Sequence, residues 1–310
     1  MTAKLIALTG ATGFIGRHLV GELPRHGFRI RVLLRRPAEV PPGASGAVIG
    51  DIAKPRNMAD ALRGVDAVIH SAGIAHAMTG RPEDDYRAIN TEATLGLARA
   101  AERAGVRRFV FLSSIRAQCG PSHEGVLTEE SVAAPTDAYG RSKLAAEEGL
   151  AALGLDWVAL RPVLVYGPGV RGNMGALLRV ARSPWPLPLG GLTGRRSILA
   201  VENLASAIAA VLAAPGPLRR PLIVADPEPL TVPEMVGALR AGLSRPPGLV
   251  PVPAALLRAA ASLLGREDEF ARVAGSLVAS PEALRRCGWQ PAVATRDALA
   301  RLARQAADDA

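Results

Sequence analysis

Residues Thr9-Gly10-Ala11-Thr12-Gly13-Phe14-Ile15-Gly16 constrain this chain more than any other stretch. Before them lies an apolar run, Leu5-Ile6-Ala7-Leu8, that reads as a buried parallel strand. After them comes a helical pattern, Phe14, Ile15, Leu19, Val20 and Leu23. Strand, glycine turn and helix, in that order, are the context of a dinucleotide-binding fingerprint. Gly10 permits the tight turn, Gly13 lets the backbone approach a pyrophosphate, and Gly16 lets the helix pack on the strand, leaving its N-terminal amides free for an anion. Thr12, Phe14 and Ile15 belong to the same expected contact surface. The spacing is GxxGxxG, and a purely structural turn is the alternative.

The alternation of strand and helix continues. Phe28 to Leu34 reads as a second strand ending in Arg35-Arg36-Pro37. A site for NAD usually places an acid here for the ribose hydroxyls, whereas an arginine can hold the extra phosphate of NADP. The acid is absent, so NADP is favoured over NAD with Arg35 and Arg36 as contacts, a solvated strand edge being the alternative. Ala47 to Gly50 reads as a short third strand. Beyond it, Asp51 and Ile52 sit where a carboxylate could accept from an adenine amino group, unless Asp51 caps a helix at 55–63. A fourth strand, Val65 to Ile69, runs into His70-Ser71-Ala72-Gly73. Ser71, Ala72 and Gly73 are small enough for a cofactor to lie against the backbone, and His70 reads as a packed strand-end histidine. A helix from Asp84 to Ala104 carries Ile89, Ala93, Leu97 and Ala101 on one face. Asn90 within it either orders the cofactor side or is solvated.

Arg107 to Leu112 is a fifth strand and ends in Ser113-Ser114, hydroxyls where ligands bind in such sheets. After a polar loop, Tyr139-Gly140-Arg141-Ser142-Lys143 opens the next helix, and its tyrosine and lysine are four residues apart on one face. Only three of the 37 basic residues are lysines: Lys4, Lys54 and Lys143. A lysine ammonium is a compact donor able to reach both a ribose and a phenol. An ordinary tyrosine has a pKa near 10, and lowering it to about 7 takes about 4 kcal/mol. One ammonium about 4 Å away, at an effective dielectric of about 20, supplies that much.

The rest of the chain sets bounds. Its net charge is +9, but the arginines are scattered in pairs, which argues against a nucleic-acid partner. Cys119 and Cys287 lack metal-ligand spacing, so no metal is expected. The chain enters its first strand directly after Met1-Thr2-Ala3-Lys4 and has no uncharged run of about 18 apolar residues. We therefore expect a cytoplasmic protein with no membrane partner. Trp157 to Arg161 reads as a sixth strand, with Pro162 and Val165 leaving the sheet toward the ligand side. The expected architecture is an α/β, Rossmann-type doubly wound parallel sheet with a smaller, mostly helical C-terminal substrate lobe. The sheet domain takes 1–168, with 200–226 returning to it; the lobe takes 169–199 and 227–310, with helices at 231–242, 253–264, 280–287 and 295–306.

Taken together these residues resemble the extended short-chain dehydrogenases/reductases, the NAD(P)-dependent epimerase/dehydratase group that acts mainly on nucleotide sugars. The resemblance rests on the glycine turn, Gly50-Asp51, Ser113-Ser114, Tyr139 to Lys143, Arg161-Pro162 and Val165-Tyr166-Gly167-Pro168-Gly169. Arg195-Arg196-Ser197, Glu202-Asn203-Leu204 and Cys287-Gly288-Trp289-Gln290-Pro291 extend it. It implies that Tyr139 is the catalytic acid/base, Lys143 its partner and Ser114 the substrate-orienting hydroxyl, with Ser113 as the alternative. Tyr139, Lys143, Ser113 and Asn90 would also touch the cofactor. Asn173 and Arg195 would contact the substrate's nucleotide or diphosphate, a helix cap and a surface arginine being their alternatives. The implied activity is UDP-sugar chemistry at C4, either 4-epimerisation or reduction of a 4-keto sugar, in a homodimer built on the helices at 84–104 and 137–153. The other readings are an NADPH-dependent reductase of a steroid- or flavonoid-like ketone and a non-catalytic dinucleotide sensor. One departure stands out: the loop Ile115-Arg116-Ala117-Gln118-Cys119-Gly120 is a residue longer than the family pattern, which bears on the substrate pocket.

Overall fold

The computed structural model describes residues 3–74 and 81–308, so Met1 and Thr2, where the N-terminal reading begins, lie outside the described residues. Strand β1 (Leu5–Thr9), the glycine turn and helix α1 (Phe14–Glu22) form the first unit. Strands β2 (Arg29–Leu34) and β3 (Ala44–Val48) follow, then a short α2 (Met58–Ala61) and β4 (Ala67–His70). Helices α3 (Glu83–Tyr86) and α4 (Ala93–Arg103) are joined through a π turn at Arg87–Glu92, and β5 (Arg108–Leu112) and β6 (Val126–Leu127) come next. Helix α5 (Ala138–Ala151), β7 (Trp157–Pro162), β8 (Leu164–Tyr166) and α6 (Gly172–Ala181) lead out of the sheet. Short β9 (Arg195–Arg196) and β10 (Ile198–Ala200) precede α7 (Val201–Ala213) and β11 (Arg220–Val224). The remainder comprises β12 (Leu230–Thr231), α8 (Val232–Gly242), α9 (Ala254–Leu263), α10 (Glu267–Ala274), β13 (Val278–Ala279), α11 (Glu282–Arg286) and α12 (Thr295–Asp308).

Seven strands form one sheet in the order β11-β7-β5-β4-β1-β2-β3, every pairing parallel. Strands β1, β5 and β7 are buried along their whole length, as apolar runs between two helical layers should be. Successive side chains of a strand point to opposite faces. Accordingly, Ile6 and Leu8 join a core with Leu19 and Ile208, while Leu5 and Ala7 join another with Leu97 and Phe109. A third core gathers Tyr166, Met174, Met235, Leu239 and Leu299. The chain winds outward from β1 in both directions, so a crevice opens where the order reverses, beyond the carboxyl ends of β1 and β4. Among the described residues no helix is long and apolar enough to cross a membrane.

Several elements differ from expectation. The third strand begins at Ala44 and ends at Val48, and the helix expected at 55–63 shrinks to four residues because Asn57 ahead of it is left-handed, at φ 53°. Asp51 does not cap that helix. Its carboxylate accepts from the Ala53 amide at 3.0 Å and pairs with Arg35 at 3.5 Å. Helix α10 went unforeseen because its charged start, behind Gly265-Arg266, hides the apolar side.

Candidate active site

The glycine turn has the shape its sequence requires. Gly10 is at φ 74°, and a Cβ there would lie 2.7 Å from the Ala72 nitrogen; a Cβ on Gly16 would lie 2.1 Å from the Gly10 carbonyl oxygen. The Gly13 amide donates to that same carbonyl at 3.0 Å. No side chain caps α1. The amides of Phe14 and Ile15 thus open its first turn beside exposed Thr12 and Gly13, the arrangement that accepts a phosphate. A bound dinucleotide fits this cradle. Over its far side comes the segment after β7, where Gly167 packs near Val201 and the Phe14 ring and the Pro168 carbonyl meets His18 Nε2 at 3.0 Å. Pro162 is buried at the end of β7, and Val165 is half-buried on β8.

A buried polar chain supports the crevice floor. Thr94 Oγ1 donates to the Asn90 carbonyl at 2.7 Å, so it accepts from His70 Nε2–H at 2.9 Å. His70 Nδ1 must then accept from Thr9 Oγ1, at 2.7 Å, and Thr9 Oγ1 accepts the amides of Ser71 and Ala72 at 3.2 Å. Burial, with Lys143 nearby, drives the imidazole pKa down to about 3, so this neutral tautomer is the working form. Asn90 is fully buried rather than solvated. Its Oδ1 accepts the Ile74 amide at 2.8 Å, its amide reaches Ser142 Oγ, and a Cβ on Gly73 would strike it.

Helix α5 brings Tyr139 and Lys143 to the end of β5. Asp137 caps it, accepting the Gly140 amide at 2.7 Å, and Ser114 is in hydrogen-bond contact with the Tyr139 phenol. Lys143 Nζ donates to the Leu112 carbonyl at 2.9 Å, lies 4.5 Å over the Phe111 ring and 5.9 Å from the Tyr139 ring centre. Burial adds a cost that the sequence argument did not count. Burial dominates, raising the phenol pKa to about 12, while burial lowers the ammonium to about 8 against the opposing pull of Glu147. The groups that favour the phenolate are Ser114 and Arg116; the ammonium of Lys143 is directed to a carbonyl instead.

Ser113 is also differently placed from expectation. Its hydroxyl donates to Glu147, whose carboxylate also takes Arg161 Nε at 3.1 Å on both oxygens. Sequence reasoning did not foresee the Glu147–Arg161 pair, though each residue by itself left a signal. Glu147 stands one turn after Lys143, and Arg161 is a lone charge in a strand of apolar residues. On the substrate side, Asn173 is exposed on the first turn of α6, whose cap position is Arg171. Arg195 is half-exposed, donating to the Pro229 carbonyl at 2.8 Å and pairing with Glu234 at 3.5 Å. Arg36 is exposed beside Arg35, and Ile52 is half-buried. The buried Cys119 thiol reaches the Ile115 carbonyl, and burial pushes its pKa up. Tyr166 and Asn203 converge on buried Asp226, whose pKa burial raises to about 6; they fasten β8 and α7 to β11 rather than facing the crevice.

The model of the NAD dependent epimerase/dehydratase family matches residues 6–224. A UDP-glucose 4-epimerase of Vibrio cholerae is 34% identical over 303 residues, covering 93% of this chain and 91% of that protein. A ceramide reductase of Caulobacter vibrioides is 34% identical over 214 residues, 68% of this chain and 62% of its own length. Among solved structures, MoeE5 in complex with UDP-glucose and NAD superposes with a TM-score of 0.73 at 28% identity, covering 98% of this chain and 99% of its own.

Proposed function

The chain belongs to the NAD dependent epimerase/dehydratase family and is an NAD-dependent enzyme of the short-chain dehydrogenase/reductase type; from that premise we propose that it acts on a nucleotide sugar at C4. The reaction is UDP-sugar 4-epimerisation or 4-keto-sugar reduction, carried out by a cytoplasmic homodimer that packs through α4 and α5. Residues 1–168 and 200–226 hold the cofactor, and 169–199 and 227–310 form the substrate lobe. The observation that carries this reading is the meeting of Tyr139, Ser114 and Lys143 at the end of β5, beside a glycine cradle open to a pyrophosphate.

When bound, the nicotinamide dinucleotide supplies the acceptor and donor of a hydride at the sugar carbon. Tyr139 takes and returns the proton on that carbon's oxygen, Ser114 orients the oxygen, and Lys143 adds positive charge from its seat on the Leu112 carbonyl. The chain from Thr94 through His70 to Thr9 holds the Ser71 and Ala72 amides in place along the crevice. Asn173 and Arg195 are the proposed diphosphate contacts. Arg35 and Arg36 support NADP over NAD, since the exposed Arg35–Asp51 contact is weak enough to yield to a phosphate. Arg35→Ala with Arg36→Ala should weaken NADP selectively in a binding titration; equal losses for both cofactors count against that preference.

The test is incubation with UDP-glucose, scored for UDP-galactose, alongside mass spectrometry of the nucleotide that copurifies. Interconversion with retained NAD identifies an epimerase, and NADPH oxidation by a 4-keto sugar with an empty site identifies a reductase. Absence of both activities would remove the C4 assignment. A second reading, an NADPH-dependent reductase of an apolar ketone, is favoured by the similarity to the ceramide reductase.

A further inference from the structure

The loop that departs from the family pattern carries an arginine that grips both sides of the proton-transfer pair. The Arg116 amide donates to Ser114 Oγ at 3.1 Å, and its carbonyl lies so near α5 that a Cβ on Gly140 would come within 2.2 Å of it. Its guanidinium donates to the Asp137 carboxylate, which caps α5 two residues before Tyr139, and reaches Thr136 Oγ1 at 3.4 Å. The other two guanidinium nitrogens, Nε and Nη1, are buried and have no hydrogen-bond partner among the described residues. The guanidinium is thus held along one edge, by the Asp137 carboxylate and Thr136.

We propose that Arg116 and Asp137 form a positioning clasp that holds the Ser114 hydroxyl against the Tyr139 phenol and keeps one cation and one anion beside it. Other groups lie around Tyr139 among the described residues. Tyr86 presents its ring edge-on at 6.4 Å from α3, Lys143 lies on the same helix with Glu147 a turn behind it, and Ser114 hydrogen-bonds the phenol. Of these, Asp137 and Tyr86 disfavour the phenolate, whereas Ser114 and Arg116 favour it. Through the clasp the unusual loop brings in a second cation where Lys143 is turned to a carbonyl.

This inference rests on Tyr139 being the acid/base group, and the experiment reads ionisation without turnover so that the two ideas fail separately. The chain has three tyrosines, so protein labelled with ¹³Cζ-tyrosine and saturated with NAD⁺ gives three signals, assigned through Tyr86→Phe and Tyr139→Phe. Arg116→Gln removes the cation. Asp137→Asn removes the anion yet keeps an oxygen for the Gly140 amide, and Arg116→Lys keeps the charge. The positive nicotinamide ring of saturating NAD⁺ should bring the phenol down from the value of about 12 to which burial chiefly raises it. In a titration to about pH 10, the Tyr139 midpoint should then rise by about one unit in Arg116→Gln, fall by about one unit in Asp137→Asn, and stay near the parent value in Arg116→Lys. A clasp that only braced the loop would move both charge-removing variants in the same direction. That result, an unmoved midpoint, or a phenol protonated throughout the range in every protein overturns the proposal. Turnover surviving in Tyr139→Phe would instead sink the acid/base assignment and leave the titration standing.

Discussion

Beneath the crevice, Thr9, His70, Asn90, Thr94, Lys143, Glu147 and Arg161 are all buried, and each has partners. In the hairpin of α9 and α10 the pattern is inverted: Leu256, Leu263 and Leu264 are 62%, 89% and 73% exposed, and α9 has no buried residue. A polar group enters a dry interior only where it is hydrogen-bonded or paired, so the crevice floor admits few alternative arrangements. The hairpin is held chiefly by Leu257, Phe270 and Ala274, which pack against the third core, and its outer face has no such constraint. Burial in this molecule follows the availability of partners, and hydropathy alone would have placed both regions wrongly.

The contrast can be sharpened by substitution. The largest effect belongs to the crevice: Tyr139→Phe should reduce turnover by about 10²- to 10⁴-fold while cofactor affinity, followed by fluorescence titration, is unchanged. An unaltered rate would break the assignment of chemistry to this region. Next comes Glu147→Leu, which leaves Arg161 and Lys143 buried without their counter-charge and should cost about 3–5 kcal/mol in denaturant unfolding. Adding Arg161→Met should restore much of that loss, and no recovery would show that the pair is not acting as a unit.

His70 sets a pH dependence of intermediate size. Its folded pKa, about 3, lies below its ordinary 6.5, so below pH 6.5 the unfolded chain binds a proton that the folded chain refuses. Stability contributed by this group is complete above pH 6.5 and declines as the pH falls toward 3, by about 2 kcal/mol at pH 5. Thermal melts of the parent and His70→Gln should therefore converge on acidification; parallel curves would refute the neutral tautomer. The smallest effect belongs to the hairpin, where Leu263→Ser should change stability by less than about 0.5 kcal/mol. A loss several times larger would mean that this leucine is covered, and the contrast between the regions would collapse.

What could be read from the chain follows the range of the interaction concerned. The glycine cradle and the paired Tyr139 and Lys143 are local, their requirements met within a few residues, and both appear where expected. The Glu147–Arg161 pair joins two elements 14 residues apart, and the Arg116–Asp137 contact closes a loop of 21, so neither could be inferred before the fold brought them together. The phenol's ionisation could be read only in part for a related reason. Charge can be counted in a sequence, but the burial that raises Tyr139 to about 12 is set by everything packed around it. Asn173 and Arg195 were placed by the family resemblance alone, and the structure leaves both exposed, on α6 and β9.

The π turn at Arg87–Glu92 amounts to one surplus residue threaded into an otherwise regular helix. It lies where Asn90 takes hold of the Ile74 amide, so the crevice wall is anchored by an irregularity in the winding. Excising one residue there would tidy the helical ladder and scarcely alter helix content, yet it would move Asn90 away from the Ile74 amide that it holds. A deletion invisible to circular dichroism would thereby cast the wall adrift.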